Sequence, residues 1–330
     1  MATVTHTGPR FTSVVAVPRS TAGDRYRSGR ELAARAPGFP AEQGLNLRFF
    51  GGRTIEHFTF THVYLGGRAA WSKDDIAKID HALPAALTDP HLENVIAQYY
   101  ADEKPTVTFK PSRVLAEACP GRVYRDTIES LVASLDRENG LSGFDLASSV
   151  FCFMLPRGTV LVDGTSTGHQ RRAEETVALG PDDDAVDSKH GLGGYHGSIH
   201  VKRGSKKDTV YYAVGVYSEG ANGIPAFDQP WKSVCATFYH ELCEARTDPD
   251  VEDAIRAGES PDANRFIGWY SPKGGEIGDI PMEEAGSNLA AVMREVPLTK
   301  GGTVPIQLMW SNAVGGPEGP IATKHPPASR

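Results

Sequence analysis

Residues 227–250 read FDQPWKSVCATFYHELCEARTDPD, and their spacing predicts one amphipathic helix. Asp228 is a candidate N-cap, and Pro230 suits the first helical turn, where its missing N–H costs nothing. Trp231, Val234, Cys235, Phe238 and Leu242 recur at i, i+3, i+4, i+7 and i+11, a stripe that faces a core. His240 lies on the opposite side from Trp231, and Glu244 follows four residues later on the face of His240. Asp248 precedes Pro249 and resists the α conformation, so the helix stops there. One side is expected to pack on a core while the other presents a His and a Glu.

His240-Glu241-x-x-Glu244 has the spacing of the HExxH zinc helix with Glu in place of the second His. In HExxH proteins the residues one turn apart bind the metal, and the Glu beside the first His is the general base. A carboxylate oxygen also ligates zinc, so the exchange keeps a site. On the pentapeptide alone, a solvated helix face with an ordinary His is the competing reading.

Further segments narrow the choice. Gly268-Trp269-Tyr270 and Gly274-Gly275-Glu276-Ile277-Gly278-Asp279 follow the helix. Together with HELCEARTDPD they resemble the HE-x-x-E-A-x-T-D-P … GWY … EIGD pattern of bacterial relatives of the plant phosphate-induced/EXORDIUM-like family. Phe49-Phe50-Gly51-Gly52 resembles that family's early aromatic-GG segment, and Gly194-Tyr195-His196-Gly197-Ser198 its G-aromatic-H-G-S segment. The similarity spans roughly residues 47–282. Many plant members lack the His and Glu, whereas the bacterial branch is zincin-like. The resemblance therefore implies a zincin-like metalloprotease core, and this chain keeps the residues such chemistry needs.

The chain has 330 residues, 40% of them apolar and 23% charged, with a formal net charge of −7. That is an ordinary globular balance, and it argues against a general nucleic-acid binder. No apolar run approaches a membrane span. The first residues, MATVTHTGPRFTSVVAVPRS, show no secretory signal, so either the protein works in the cytoplasm or an export leader has been removed. Four cysteines, Cys119, Cys152, Cys235 and Cys243, form no CxxC pair and read as buried reduced thiols, which fits a cytoplasmic location.

Three regions are expected: an irregular arm over residues 1–45, a catalytic region over 46–314, and a flexible tail over 315–330. Within the catalytic region a sheet-and-helix part runs to about residue 250, and 251–314 supplies further ligands. Glu31 to Ala34 could form a short helix. Residues 56–65 read as a strand with His57 and His62 on opposite faces. A helix starts after the cap Ser72 with the stripe Ile76, Ile79, Leu83 and Leu87, and Pro84 predicts a kink or stop near Leu83. Another helix spans 91–100, and a strand 106–109. Asp126 and Glu129 resemble a capping box, with Ile128, Leu131, Val132 and Leu135 as core face and Gly140 as the close. Residues 149–155, SVFCFML, read as a buried strand. A polar insertion covers 163–194, and its Asp182, Asp183, Asp184 and Asp187 could bind calcium but lack the EF-hand spacing, so they read as a solvated loop. Residues 195–201 read as an edge strand with His196 and His200 on one face, and 210–217 as its neighbour. The expected class is α/β (α+β), a twisted mixed sheet with a central HExxE helix.

A catalytic zinc site needs three protein ligands and an open position. His240 and Glu244 supply two, and Glu276 is the first choice for the third, with Asp279 as runner-up. Asp248 is expected to orient His240 or Glu244. Asp250 matches the third metzincin ligand only in position, and Met282 is either a Met-turn residue or a core methionine. His196 is read as a substrate-binding or oxyanion-stabilising residue, or as a ligand of a non-haem iron type site. Tyr270 could donate to an oxyanion, or it could wall the cleft with Trp269. The leading function is a zinc-dependent hydrolase cleaving a peptide or amide bond in a peptide or small-molecule substrate. In it the metal lowers the pKa of water and Glu241 takes the proton. The alternatives are a non-catalytic zincin-like binding protein, or a metalloenzyme of another reaction type using iron or another divalent metal.

Overall fold

The computed structural model describes residues 14–16, 35–101, 104–164, 166, 187–258, 260 and 262–330. In chain order the strands are β1 (Val14–Ala16), β2 (Arg48–Phe49), β3 (His57–Tyr64), β4 (Thr106–Val114), β5 (Arg122–Tyr124), β6 (Ser149–Leu155) and β7 (Val160–Val162). They continue with β8 (Leu192–Arg203), β9 (Lys206–Val216), β10 (Trp269–Tyr270), β11 (Met293–Pro297), β12 (Thr303–Gln307), β13 (Met309–Ser311) and β14 (Gly316–Glu318). The helices among the described residues are α1 (Lys73–Leu87), α2 (Pro90–Ile96), α3 (Arg125–Arg137), α4 (Pro230–Thr247), α5 (Val251–Ala257) and α6 (Asp279–Ala285).

Six strands form one mixed sheet in the order β1-β8-β9-β6-β3-β4. β4, β3, β6 and β9 run parallel, and β8 returns antiparallel to β9. β6 explains the arrangement best. Val150, Cys152 and Met154 point into the core shared with α1, α2 and α4, while Phe151, Phe153 and Leu155 point into the core shared with α3. Side chains alternate faces along a strand, so a strand covered on both faces must be apolar throughout. The molecule is therefore layered: α3 on one face of the sheet, then the sheet, then α4 with α1, α2 and the C-terminal hairpins on the other. The class is mixed α/β, as the sequence implies.

α4 begins at Pro230 as expected, but its N-cap is Gln229 and not Asp228; the Asp228 carboxylate instead accepts from Lys232 Nζ at 2.8 Å. The helix ends at Thr247, before Asp248-Pro249. Its polar face is not presented to solvent. Every residue from Lys232 to Thr247 is buried, because β12 lies along the side away from the sheet. Trp231, expected in the core stripe, is only half-buried.

Other boundaries depart from expectation for local reasons. Ser72 caps α1, accepting from Asp74 and Asp75 N–H. Pro84 lies inside α1, which runs on to Leu87. α3 starts one residue before Asp126, and Thr127 Oγ1 accepts from Tyr124 N–H in the role given to Glu129; Asp126 instead accepts from Ser166 N–H. The helix expected over 91–100 is α2 followed by a 3-10 turn over Ala97–Tyr99. β4 extends past Phe109 to Val114. β8 is not an edge strand, because β1 pairs outside it with Val14 opposite Tyr195; part of the N-terminal arm thus belongs to the sheet. Residues 315–330 are packed, contrary to expectation: β14 pairs with β13, Ile321 N–H donates to His91 O, and Ala328 N–H donates to Gln98 O. Asp182 to Asp184 and the short helix at Glu31 fall outside the described residues. Asp187 is buried and caps the turn Ser188–His190. His57 and His62 face opposite sides, His57 exposed and His62 buried against Asp80 at 2.6 Å. All four cysteines are free thiols, three buried and Cys119 half-buried. No helix of the described residues is long and apolar enough to cross a membrane.

Candidate metal centre

α4 places His240, Glu241 and Glu244 in the interior, each fully buried. Three further segments close around them. β8 brings His196 from the face that meets α4, since Tyr195 points into the opposite core. The loop after β10 brings Glu276, and the start of α6 brings Asp279. β10 pairs with β2, Trp269 opposite Phe49, so the aromatic-GG and GWY segments lie side by side. Gly268 is pinned there by close approach, because a Cβ would overlap the carbonyls of Thr247 and Arg53.

The tautomer of His240 follows from its neighbours. Gln307, fully buried on β12, donates from Nε2 to Gly278 O at 2.6 Å. Its Oε1 must therefore face His240 Nδ1, at 2.8 Å, and accept from it. That leaves Nε2 of His240 aimed into the cluster, 3.0 Å from Glu244 Oε1 and 3.7 Å from Asp279 Oδ1. The Nε2–Glu244 approach lacks hydrogen-bond geometry. Imidazole ligands of metals are held in this way, with the far nitrogen donating to a fixed acceptor. Gly278 is required here, because a Cβ would overlap the His240 ring.

His196 faces Glu241 and Glu244 with Nδ1, at 3.5 and 3.6 Å, and Glu276 with Nε2 at 3.7 Å. Nε2 also lies 3.2 Å from the carbonyl of Asp248. Asp248 Oδ1 accepts from Gly268 N–H at 2.8 Å, so Asp248 positions His196 and the GWY loop rather than His240 or Glu244. Glu244 Oε1 accepts from Gly278 N–H at 3.2 Å. Both oxygens of Glu241 and of Glu276, and Oε2 of Glu244, are buried with no hydrogen-bond partner. Native proteins rarely leave so many buried acceptors unmatched.

The electrostatics follow from that crowding. Burial opposes a charge on His240, but Glu244 outweighs it and pushes the pKa up to about 9. Burial likewise opposes a charge on Glu244, yet His240 and His196 hold it down to about 2. Burial pushes Glu241 up to about 7 and Asp248 up to about 8. Burial, with Glu244 adding repulsion, raises Glu276 and Asp279 well above the usual carboxyl range. Among the described residues no lysine or arginine ion-pairs with any of these carboxylates.

Among the described residues, two sets of ligand atoms lie within 4.8 Å of one another: His240, Glu244 and Asp279, and His196, Glu244 and Glu276. The residues fit a divalent cation, since imidazole and carboxylate donors converge and several carboxylate oxygens have no other partner. His240 and Glu244 come together as the sequence implies. Their third neighbour in such a set is the runner-up Asp279; Glu276, the first choice, joins His196 instead. Tyr270 is buried nearby, with Glu276, Asp279 and Asp248 adding to the burial that raises its phenol. Asp250 belongs to neither set and accepts from Tyr211 Oη at 2.7 Å. Met282 packs in a small core with Ile224, Ala236 and Met293. Sequence reasoning missed Gln307, which carries no local pattern. Comparison with family models, curated proteins and solved structures finds no match for this chain.

Proposed function

We propose that the protein is a divalent-metal-dependent hydrolase, of the zinc type, acting on an amide bond in a peptide or small molecule. The observation that carries this reading is the set of His240, Glu244 and Asp279, the first two buried, with the tautomer of His240 fixed by Gln307. His240, Glu244 and Asp279 would hold the metal. When bound, it would supply Lewis acidity and lower the pKa of a water molecule. Glu241 neighbours both histidines, and burial pushes its pKa up to about 7, which suits a base that takes a proton from water and returns it to a leaving amine. Tyr270 is kept protonated by burial and would act as a hydrogen-bond donor to developing negative charge. Asp279 has the most exposed side chain of the group, at 17%, so substrate would enter from its side. The zincin-like reading draws support from α4 lying under a mixed sheet beside the antiparallel strand β8. It draws more from the segments that resemble the EXORDIUM-like family, of which those carrying His196, His240 to Glu244, and Glu276 to Asp279 supply the cluster.

A second reading has its own observation. All ligands except Asp279 are buried, as in a metal site that stabilises a binding protein without turning over substrate. The test is metal content and amide hydrolysis measured on the same protein. Glu241→Gln is expected to keep its metal and lose turnover on the order of 10²-fold or more. His240→Ala is expected to lose stoichiometric metal. Metal retained in full by His240→Ala would sink the site. Metal present with no hydrolysis across a peptide and amide library would leave the binding reading.

A further inference from the structure

Resting on the metal-dependent reading above, we propose that the centre is built for two divalent ions bridged by Glu244. Glu244 would be shared by two ligand sets, one with His240 and Asp279 and the other with His196 and Glu276.

The two oxygens of Glu244 look in different directions. Oε1 lies 3.0 Å from His240 Nε2, and Oε2 lies 3.6 Å from His196 Nδ1. Glu244 is the residue common to both sets of candidate ligands. A single ion held by His240, Glu244 and Asp279 leaves Glu276 with only the His196 imidazole, 3.7 Å away. Both Glu276 oxygens are fully buried and accept no hydrogen bond, a costly state for a carboxylate unless it is paired or ligates a metal.

Charge counting points the same way. Five carboxyl groups, Glu241, Glu244, Asp248, Glu276 and Asp279, surround two imidazoles, with no lysine or arginine paired to them among the described residues. Imidazoles that ligate metal are neutral. With all five carboxyls ionised, one divalent ion would leave three negative charges in the interior, and two would leave one. Each position would offer one nitrogen and two carboxylate groups, one of them shared, a donor set suited to zinc, manganese or ferrous iron. Two ions sharing a carboxylate are a recurring means of clamping both the attacking and the leaving group in hydrolysis.

The test uses the full chain, stripped with a chelator and reloaded. Plasma mass spectrometry with Zn²⁺ should count two ions per chain. Glu276→Gln and Asp279→Asn should each retain one, and Glu244→Gln fewer than one. The Mn²⁺-loaded wild-type protein should give an electron paramagnetic resonance spectrum split by coupling between two ions. The same spectrum from Glu276→Gln should be that of isolated Mn²⁺. This second readout needs no variant to establish the pair, so a variant that fails to fold does not blunt it. One ion per chain, weakened by both the Glu276 and the Asp279 substitution, would overturn the two-ion centre and leave the hydrolase reading standing. Two ions with no magnetic coupling would overturn the Glu244 bridge. No bound ion at all would remove the metal reading itself.

Discussion

Replacing Gln307 by Leu probes how the centre is held without touching a proposed ligand. Gln307 makes two buried hydrogen bonds, donating to Gly278 O at 2.6 Å and accepting from His240 Nδ1 at 2.8 Å. Leu fills similar volume but leaves a buried carbonyl and a buried N–H unmatched, at about 1–3 kcal/mol each. The variant should therefore lose about 2–6 kcal/mol of stability, with both penalties taken in full at the upper end. It should also bind metal about 10–100-fold more weakly, the usual effect of losing the group that orients a metal-binding imidazole. Urea denaturation reads the first quantity, and competition with a chromophoric chelator reads the second. Gln307→Glu separates them. Its carboxylate still accepts from His240 but cannot donate to Gly278, so metal affinity should be kept while stability falls. Wild-type metal affinity in Gln307→Leu would falsify the claim that this amide sets the His240 tautomer.

Three other expectations follow from particular contacts. Gly278→Ala should weaken metal binding and lower the melting temperature, because the added methyl overlaps the His240 ring; calorimetry with and without Zn²⁺ checks both effects. Arg246 is fully buried and pairs with Glu93 through two contacts of 2.7 and 2.9 Å, so Arg246→Met should cost about 3–5 kcal/mol, and adding Glu93→Leu should recover part of the loss in denaturant melts. His62 is buried, and burial lowers its pKa despite Asp80, so the unfolded chain takes up a proton near pH 6.5 that the folded protein refuses, and stability should fall as pH drops below that value. The stability difference between wild type and His62→Gln, measured from pH 7 to 5, should change in the same sense; a pH-independent difference would contradict it.

The helix at the centre was legible because periodicity is local. Pro230, the stripe through Val234 and Phe238, and the stop at Pro249 lie within a few turns of one another. β6 was legible because burial on both faces leaves SVFCFML apolar from Val150 onward. What escaped depends on partners far along the chain. His240 and Glu244 look like a solvated face until β12 covers them, and Gln307 lies 67 residues after the His it orients. The choice between Glu276 and Asp279 turned on the turn geometry after β10, where three residues of spacing decide which histidine a carboxylate meets. The pairing of β1 outside β8, and the packing of residues 315–330, were hidden because Gly, Pro and Arg rich segments show no period even when backbone hydrogen bonds hold them.

The late position of Gln307 and Asp279 also bears on how the molecule is made. During synthesis, a nascent chain that has reached α4 already carries His196, His240, Glu241 and Glu244, but not the acceptor that fixes His240 or the carboxylate that completes its set. Contacts between residues so distant in sequence close slowly. Until β12 docks, α4 exposes an acidic, imidazole-bearing face with neither cover nor counter-charge. Metal captured at that stage would meet flexible, partly protonated ligands and be released easily. Loading is therefore expected to report the completion of folding: a pulse of Zn²⁺ given to refolding protein should be retained only after the β11–β12 hairpin has become protected from hydrogen exchange.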